Sequence, residues 1–273
     1  MNLNNQKIIK FRKEGFSIRE ICKELRLSYG TVQRTCSNIK MSKKGLKYYS
    51  KLNGLTRNIS FKDELNETKV RIISNLLFDG AVYNNHYHYS IMYVNSSKEL
   101  ISQFIKGMKK VYSVKPSVFE DNNRYQRVKY LSKRIYIDLL KYLKTFSTSN
   151  EKCEISSIII SNKSFKQIVL QALWENEGAI TKRGDLIVNL KSENVIKQLS
   201  KMHSEFGFKH TVRIKKEVGD YGVSYIIFII KSKENYKRFI DLKLFSKSIV
   251  TRGKNKGKKK IDILKDYFNN KYN

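Results

Sequence analysis

Two stretches of this 273-residue chain, "NLLFDGAVY" (75–83) and "ALWENEGAI" (172–180), share an arrangement suited to chemistry. Each ends an apolar run in an acid, Asp79 or Glu177, followed by glycine, a small residue and a β-branched one. The run over 68–79 carries Val70, Ile72, Ile73, Leu76, Leu77 and Phe78; that over 165–177 carries Phe165, Ile168, Val169, Leu170, Ala172, Leu173 and Trp174. Helices apolar nearly all round belong in the interior of an assembly. Ser74 and Ala172 occupy equivalent small positions, so the two helices are expected to pair with close backbones. Gly80 and Gly178 are expected to be the left-handed residues that end many helices.

Asp79 and Glu177 would then stand at helix C-termini. A carboxylate there meets the negative end of the macrodipole, at a cost of roughly 0.3–1 kcal/mol when exposed. Pairing the helices adds repulsion between like charges. A divalent cation relieves both, and hard oxygen ligands with few other partners suit Mg2+ rather than zinc. The plainer account is two ordinary helix ends that each carry an acid before glycine.

The elements around these acids repeat. "DGAVY" aligns with "EGAIT", "HYSIMYVNSSKELISQF" with "DLIVNLKSENVIKQLSKM", "YSVKPSVFED" with "FKHTVRIKKE", and "YQRVKYLSKRIYIDLLKYL" with "VSYIIFIIKSKENYKRFI". Each copy reads helix, two strands, helix, two strands, helix, with Val-, Ile- and Tyr-rich strands and helices such as 97–112 and 193–206. Duplication decides architecture more firmly than any single element.

"IISNLLFDG" (72–80) and "LQALWENEG" (170–178) resemble degenerate copies of the nine-residue motif of LAGLIDADG homing endonucleases, and "EISSIIISNKSFKQIV" resembles the approach to the second motif in two-repeat members. The resemblance covers roughly residues 65–265. It implies an α+β fold: a duplicated αββαββα unit with pseudo-twofold symmetry and saddle-shaped antiparallel sheets lying in a DNA major groove. It implies Asp79 and Glu177 as ligands of catalytic metals, Mg2+ as cofactor, and a double-strand cut by a monomer. Leu77 stands where the motif has its first acid, Ser74 and Ala172 stand for its glycine, and Glu177 stands for Asp. Members of the family use a basic residue near each site; Lys247, in "LFSKS", is the candidate in the second half, and the first half offers none. The alternatives are a catalytically inert DNA-binding regulator on the same scaffold and an RNA-binding intron maturase.

Strand alternation names groove-facing candidates. Counting forward from each acid gives Tyr83 and Asn85, then Thr181 and Arg183. In "HTVRIKKE" the set is Thr211, Arg213 and Lys215, opposite Val212 and Ile214; in the first half it is Lys115, Arg124, Gln126 and Lys129. His86 and His88 sit at strand spacing without a third ligand, short of the closed set a zinc site needs.

Upstream, residues 1–40 read as three helices. Ser17 with Glu20 has capping-box spacing, and Ile18, Ile21, Cys22 and Leu25 form one helical face. Ser28 caps a third helix with Val32, Cys36 and Ile39 inward. "GFSIREICKELRLSYGTVQRT" resembles a trihelical helix-turn-helix DNA-binding unit. That resemblance sends Tyr29, Thr31, Gln33 and Arg34 toward DNA, with Gln33 and Arg34 able to pair with a base edge. A small bundle for protein contact is the bland alternative. Residues 41–65 read as a basic linker, 66–150 as the first repeat and 151–265 as the second with a basic tail.

Composition agrees on the partner. Lys and Arg number 55 against 24 acids, a formal charge of +31, which favours a polyanion, double-stranded DNA or intron RNA first and an anionic membrane second. The tail "TRGKNKGKKKIDILKDYFNNKYN" is expected to be solvated and to track phosphates, Arg252 and Lys254 included. Cys22, Cys36 and Cys153 lie at no metal-ligand or disulfide-framework spacing and read as buried thiols in a reducing, cytoplasmic setting. No segment approaches the roughly 20 apolar residues of a membrane span, and no Walker loop, G-x-S-x-G elbow or Rossmann fingerprint occurs.

Overall fold

The computed structural model describes residues 3–43, 45, 64–85, 88–122, 124–181, 183–216, 222–251 and 255–272. Most of the linker expected over 41–65, together with His86, the side chain of His88, Arg252 and Lys254, lies outside them. The chain divides into two compact units, Met1–Ile59 and Ser60–Asn273.

In the first unit, α1 (Leu3–Glu14), α2 (Ile18–Leu25) and α3 (Tyr29–Cys36) surround a small core. Ser17 and Glu20 form the full capping box of α2: the Ser17 hydroxyl accepts from Glu20 N at 3.2 Å and the Glu20 carboxylate accepts from Ser17 N at 2.7 Å. Ser28 accepts from Thr31 N at 3.3 Å and starts α3. Such caps contribute about 1 kcal/mol each. Ile8, Ile21, Val32 and Cys36 are buried, with Phe11, Phe16, Ile18 and Leu25 packed on them.

The second unit is built twice. α4 (Glu67–Asp79), β1 (Gly80–Asn85), β2 (His88–Asn95), α5 (Lys98–Tyr112), β3 (Val118–Asp121), β4 (Gln126–Leu131) and α6 (Lys133–Leu139) form the first copy. After the short α7 (Ser157–Ile160) come α8 (Lys163–Asn176), β5 (Ala179–Ile180), β6 (Leu186–Leu190), α9 (Glu193–Glu205), β7 (His210–Lys216), β8 (Val223–Ile229) and α10 (Lys233–Asp241); α11 (Lys260–Tyr272) closes the chain. Both sheets are antiparallel, ordered β1-β2-β4-β3 and β5-β6-β8-β7. The same order in both confirms the duplication at the level of pairing.

Alternation sorts each sheet into a helix side and an outer face. Ile91, Tyr93, Val128 and Tyr130 are buried on the helix side of the first sheet, as are Val188, Leu190, Ile227 and Ile229 in the second. α4 and α8 pack directly on each other along their apolar sides, with Ser74 and Ala172 buried between larger neighbours. Inside the first copy the apolar pattern hides one charge. Lys69, fully buried on α4, pairs with Asp138 of α6 at 2.7 Å, and Tyr112 donates to the same carboxylate at 2.8 Å. In the second copy Trp174 packs edge-on against Phe239 and Phe245 and donates to His203 Nε2 at 2.9 Å.

Gly80 and Gly178 depart from expectation. Gly80 is extended, with φ −122° and ψ −177°, and Gly178 is not among the positive-φ glycines. Their lack of a side chain serves close approach instead. A Cβ on Gly80 would lie 2.6 Å from Leu76 Cα, and one on Gly178 would lie 2.5 Å from both the carbonyl oxygen and the ring of Trp174. In the first copy the chain therefore turns from motif helix directly into a strand, and in the second only Glu177 and Gly178 intervene.

Candidate active site

Asp79 is the last residue of α4, and Glu177 follows the last residue of α8. Because the two helices pair, both carboxylates enter one cleft of about 340 Å³, lined also by Asn95, Glu175, Asn176, Gly178, Ser248 and Lys260. Burial raises Glu177 to about 8, with Asp79 adding to the rise and Lys260 opposing it. Burial raises Asp79 to about 6, opposed by a hydrogen bond from Asn95 and by Lys260. In both acids burial is the chief cause, so the cleft disfavours their charged forms.

One cation lines the cleft with them. Lys260 Nζ donates to Gly178 O at 2.6 Å, and burial brings its ammonium down to about 8 against the pull of Asp79, Glu177 and Glu175. Its position comes from a short bridge, Ile249 to Lys259, and from Lys260 N donating to Ser248 O at 3.0 Å. The sequence reading placed this residue in a solvated tail. Lys256, Lys258 and Lys259 are indeed exposed, but Lys260 opens α11 and turns inward. The legible signal is the apolar pattern Ile261, Ile263, Leu264 that begins directly after it. Lys247, the basic candidate, is not among the residues lining the cleft; its carbonyl accepts from Ser97 Oγ at 2.8 Å.

A polar network under the cleft crosses between the copies. Asn95 donates to Asp79 Oδ2 at 2.7 Å and to Asn176 Oδ1 at 3.1 Å. Tyr93 donates to the same Asn176 oxygen at 2.7 Å. Asn176 in turn donates to Asn75 Oδ1 at 3.1 Å and to Ala172 O at 2.7 Å. Glu175 pairs with Arg71 at 2.9 Å and accepts from Ser246 at 2.7 Å. Sequence reasoning missed this layer, since its members are polar residues scattered through runs read as apolar.

The outer faces hold several expected contact residues. Tyr83 and Asn85 are exposed on β1, and Lys129 lies across the Tyr83 ring at 5.9 Å. Thr211, Arg213 and Lys215 share the outer face of β7, with the Arg213 guanidinium 4.5 Å over the Phe228 ring. Lys115 is exposed just before β3, and Arg124 is exposed in the β3–β4 turn. Gln126 is a correction: it is buried with Val128 and Tyr130 and donates to Asp121 at 2.8 Å. One residue of register puts Arg127 beside Lys129 on the outer face instead, where it pairs with Glu120. Thr181 and Arg183 lie in the turn after β5 rather than on a strand face, because β5 is only two residues long. Thr181 Oγ1 donates to Asp185 at 2.7 Å in the turn that follows, and Arg183 is exposed in that turn. In the first unit Tyr29, Gln33 and Arg34 are exposed on α3, while Thr31 is half-buried and hydrogen-bonded to Ser28. Arg34 Nε donates back to Gly30 O at 3.2 Å.

A duplicated αββαββα unit with paired helices ending in acids has a counterpart among solved structures. A structure of mesophilic variants of the homing endonuclease I-DmoI superposes with a TM-score of 0.51 at 17% identity, covering 64% of this chain and 94% of that one. The fold is that of the LAGLIDADG homing endonucleases. A complex of I-DmoI with its target DNA in the presence of Mg also matches, at TM-score 0.48, 16% identity, 64% of this chain and 94% of that one. Full-length WhiA from Thermatoga maritima matches at TM-score 0.45 and 15% identity, over 64% of this chain and 54% of its own. No protein-family model matches the sequence, and no curated protein matches it. Among the described residues, no helix of this LAGLIDADG-fold chain is long and apolar enough to cross a membrane.

Proposed function

We propose that this chain is a site-specific DNA endonuclease that makes a metal-dependent double-strand cut in a long duplex. The observation that carries the reading is the convergence of Asp79 and Glu177, one from each copy, in a single cleft beside Lys260. Outside that cleft the sheets offer Arg127, Lys129, Arg213 and Lys215 to phosphates and base edges. The three-helix unit lengthens the recognised site by entering a major groove with α3. Both copies sit in one chain, so a monomer suffices.

The donor set fits magnesium. Among the described residues no three His, Cys, Asp or Glu side chains gather as a metal centre, so the protein offers carboxylate oxygens and leaves further positions to phosphate and water. That is how Mg2+ is ordinarily held, by one or two carboxylates plus substrate phosphates. A bound ion would supply polarisation of the scissile phosphate and a more acidic water. Asp79 and Glu177 would hold it, one serving each strand. Asn95 orients the Asp79 carboxylate, and Lys260 places positive charge where a phosphate oxygen or leaving oxygen would gather negative charge.

The test is incubation with Mg2+ and a library of long duplexes. Double-strand cuts at one sequence are expected, lost in Asp79→Asn with binding retained. Tight specific binding with no cut in Mg2+ would overturn the enzyme reading in favour of a regulator that binds without cutting.

A further inference from the structure

The two halves of the cleft are not built alike. The hydroxyls of Ser97 and Ser192 cap α5 and α9 and mark equivalent places in the copies. Two residues before each stand Asn95 and Leu190, and four before stand Tyr93 and Val188. Strand pairing agrees: Tyr93 and Asn95 face Val128 and Gln126, while Val188 and Leu190 face Ile227 and Tyr225. The first copy thus has an amide and a phenol where the second has two aliphatic side chains.

The amide and the phenol act together on Asp79. Asn95 Nδ2 donates to Asp79 Oδ2, and Asn95 Oδ1 accepts from Ser97 N at 2.8 Å, which prevents the amide from rotating. The Asn176 oxygen takes the bonds from Asn95 and Tyr93, and its amide hydrogens go to Asn75 and Ala172. Every polar atom of the Asn176 amide is used, so it is locked on the motif helix of the other copy. Glu177, one residue further on, accepts no side-chain hydrogen bond among those the structure shows, and carries one more rotatable bond than Asp79.

We propose that Asn95, braced by Tyr93 and Asn176, is a positioning residue that preforms the Asp79 metal site, so that this half binds its ion first and the Glu177 half second. The proposal rests on the endonuclease reading for its consequence, an ordered pair of nicks rather than two simultaneous cuts. Its physical basis is preorganisation: a carboxylate already held in one orientation loses less freedom on taking an ion than one that must be ordered. The bond to Oδ2 leaves Oδ1 to the ion.

The experiment uses Mn2+ alone as probe, followed by electron paramagnetic resonance on the full chain. The wild type is expected to bind two ions with affinities at least tenfold apart. Asp79→Asn removes the tight class and Glu177→Gln the weak one. Tyr93→Phe keeps the buried ring and deletes only the brace; it is expected to weaken the tight class severalfold and leave the weak class unchanged. Asn95→Leu, which copies position 190, is expected to bring the two classes together, with circular dichroism and thermal melting checking that it folds. Two equal ions, a tight class that follows Glu177, or a tight class indifferent to Tyr93→Phe overturns the proposal. Absence of any Mn2+ binding in the wild type overturns the metal reading itself.

Discussion

Replacing Glu177 by glutamine is expected to stabilise the metal-free protein while it removes the Glu177 half of the metal site. The wild-type carboxyl is raised from 4.5 to about 8, chiefly by burial and then by Asp79. Between those values the folded state holds a proton that the unfolded state has released, so wild-type stability falls as pH rises from 4.5 to 8. At ~1.4 kcal/mol per pH unit, the full loss is about 4–5 kcal/mol at pH 8. Glu177 is half-buried, and water reaching the carboxyl reduces this to about 2 kcal/mol. Glutamine matches the volume and carries no charge. Thermal melting at low salt with EDTA is therefore expected to show the variant melting about 4–8 °C above the wild type at pH 8, with the gap closing by pH 4.5. Millimolar Mg2+ should raise the midpoint of both proteins at pH 8, the wild type by more, because the variant keeps only the Asp79 half of the metal site. Equal melting curves at pH 8, or a gap that grows on acidification, would refute the argument that the acids are strained by burial.

The remaining predictions probe other parts of the molecule. Burial lowers His203 to about 3, so the folded state excludes a proton that the unfolded state accepts below pH 6.5. Stability is full above that pH and falls by about 2 kcal/mol by pH 5, read as a lower urea midpoint in the double variant Asp79→Asn, Glu177→Gln, where the opposite slopes of the two raised acids are absent. Asp138→Ala leaves the Lys69 ammonium buried without its carboxylate and is expected to cost about 3–5 kcal/mol in urea unfolding; a double change to Lys69→Met and Asp138→Leu should recover most of it. Gly178→Ala drives a methyl into Trp174 and is expected to cost about 1–3 kcal/mol by thermal melting. Gln33→Ala should weaken specific DNA binding by about 1–3 kcal/mol and relax preference at one position, measured by titration against the selected duplex. Arg34→Ala should do less, because its guanidinium already bonds Gly30.

The helices, the strands and their duplication were legible because period 2 and period 3.6 leave their mark on every few residues. The capping serines and the small residues between the motif helices were legible for the same reason, since each depends on neighbours close in sequence. Errors cluster where one residue of register decides. Gln126 and Arg127 exchange faces on a shift of one position, and β5 ends two residues after Gly178, so counting forward past it names turn residues. The glycines were identified as special positions, but for the wrong reason. Neither is among the positive-φ glycines, and the packed helix before each leaves no room for a Cβ.

By itself the sequence determined two apolar helices ending in Asp79 and Glu177, a repeated strand order and a strongly basic surface. All of these are written in local periodicity and composition. Only the tertiary structure decided that Lys260 belongs to the cleft, that Asn95 holds Asp79 across to Asn176, and that Lys69 is buried against Asp138. Each joins residues far apart in the chain: 83 separate Lys260 from Glu177 and 81 separate Asn95 from Asn176. Such contacts leave no periodic trace, because they are set by how closed helices and sheets stack rather than by the order of side chains along them.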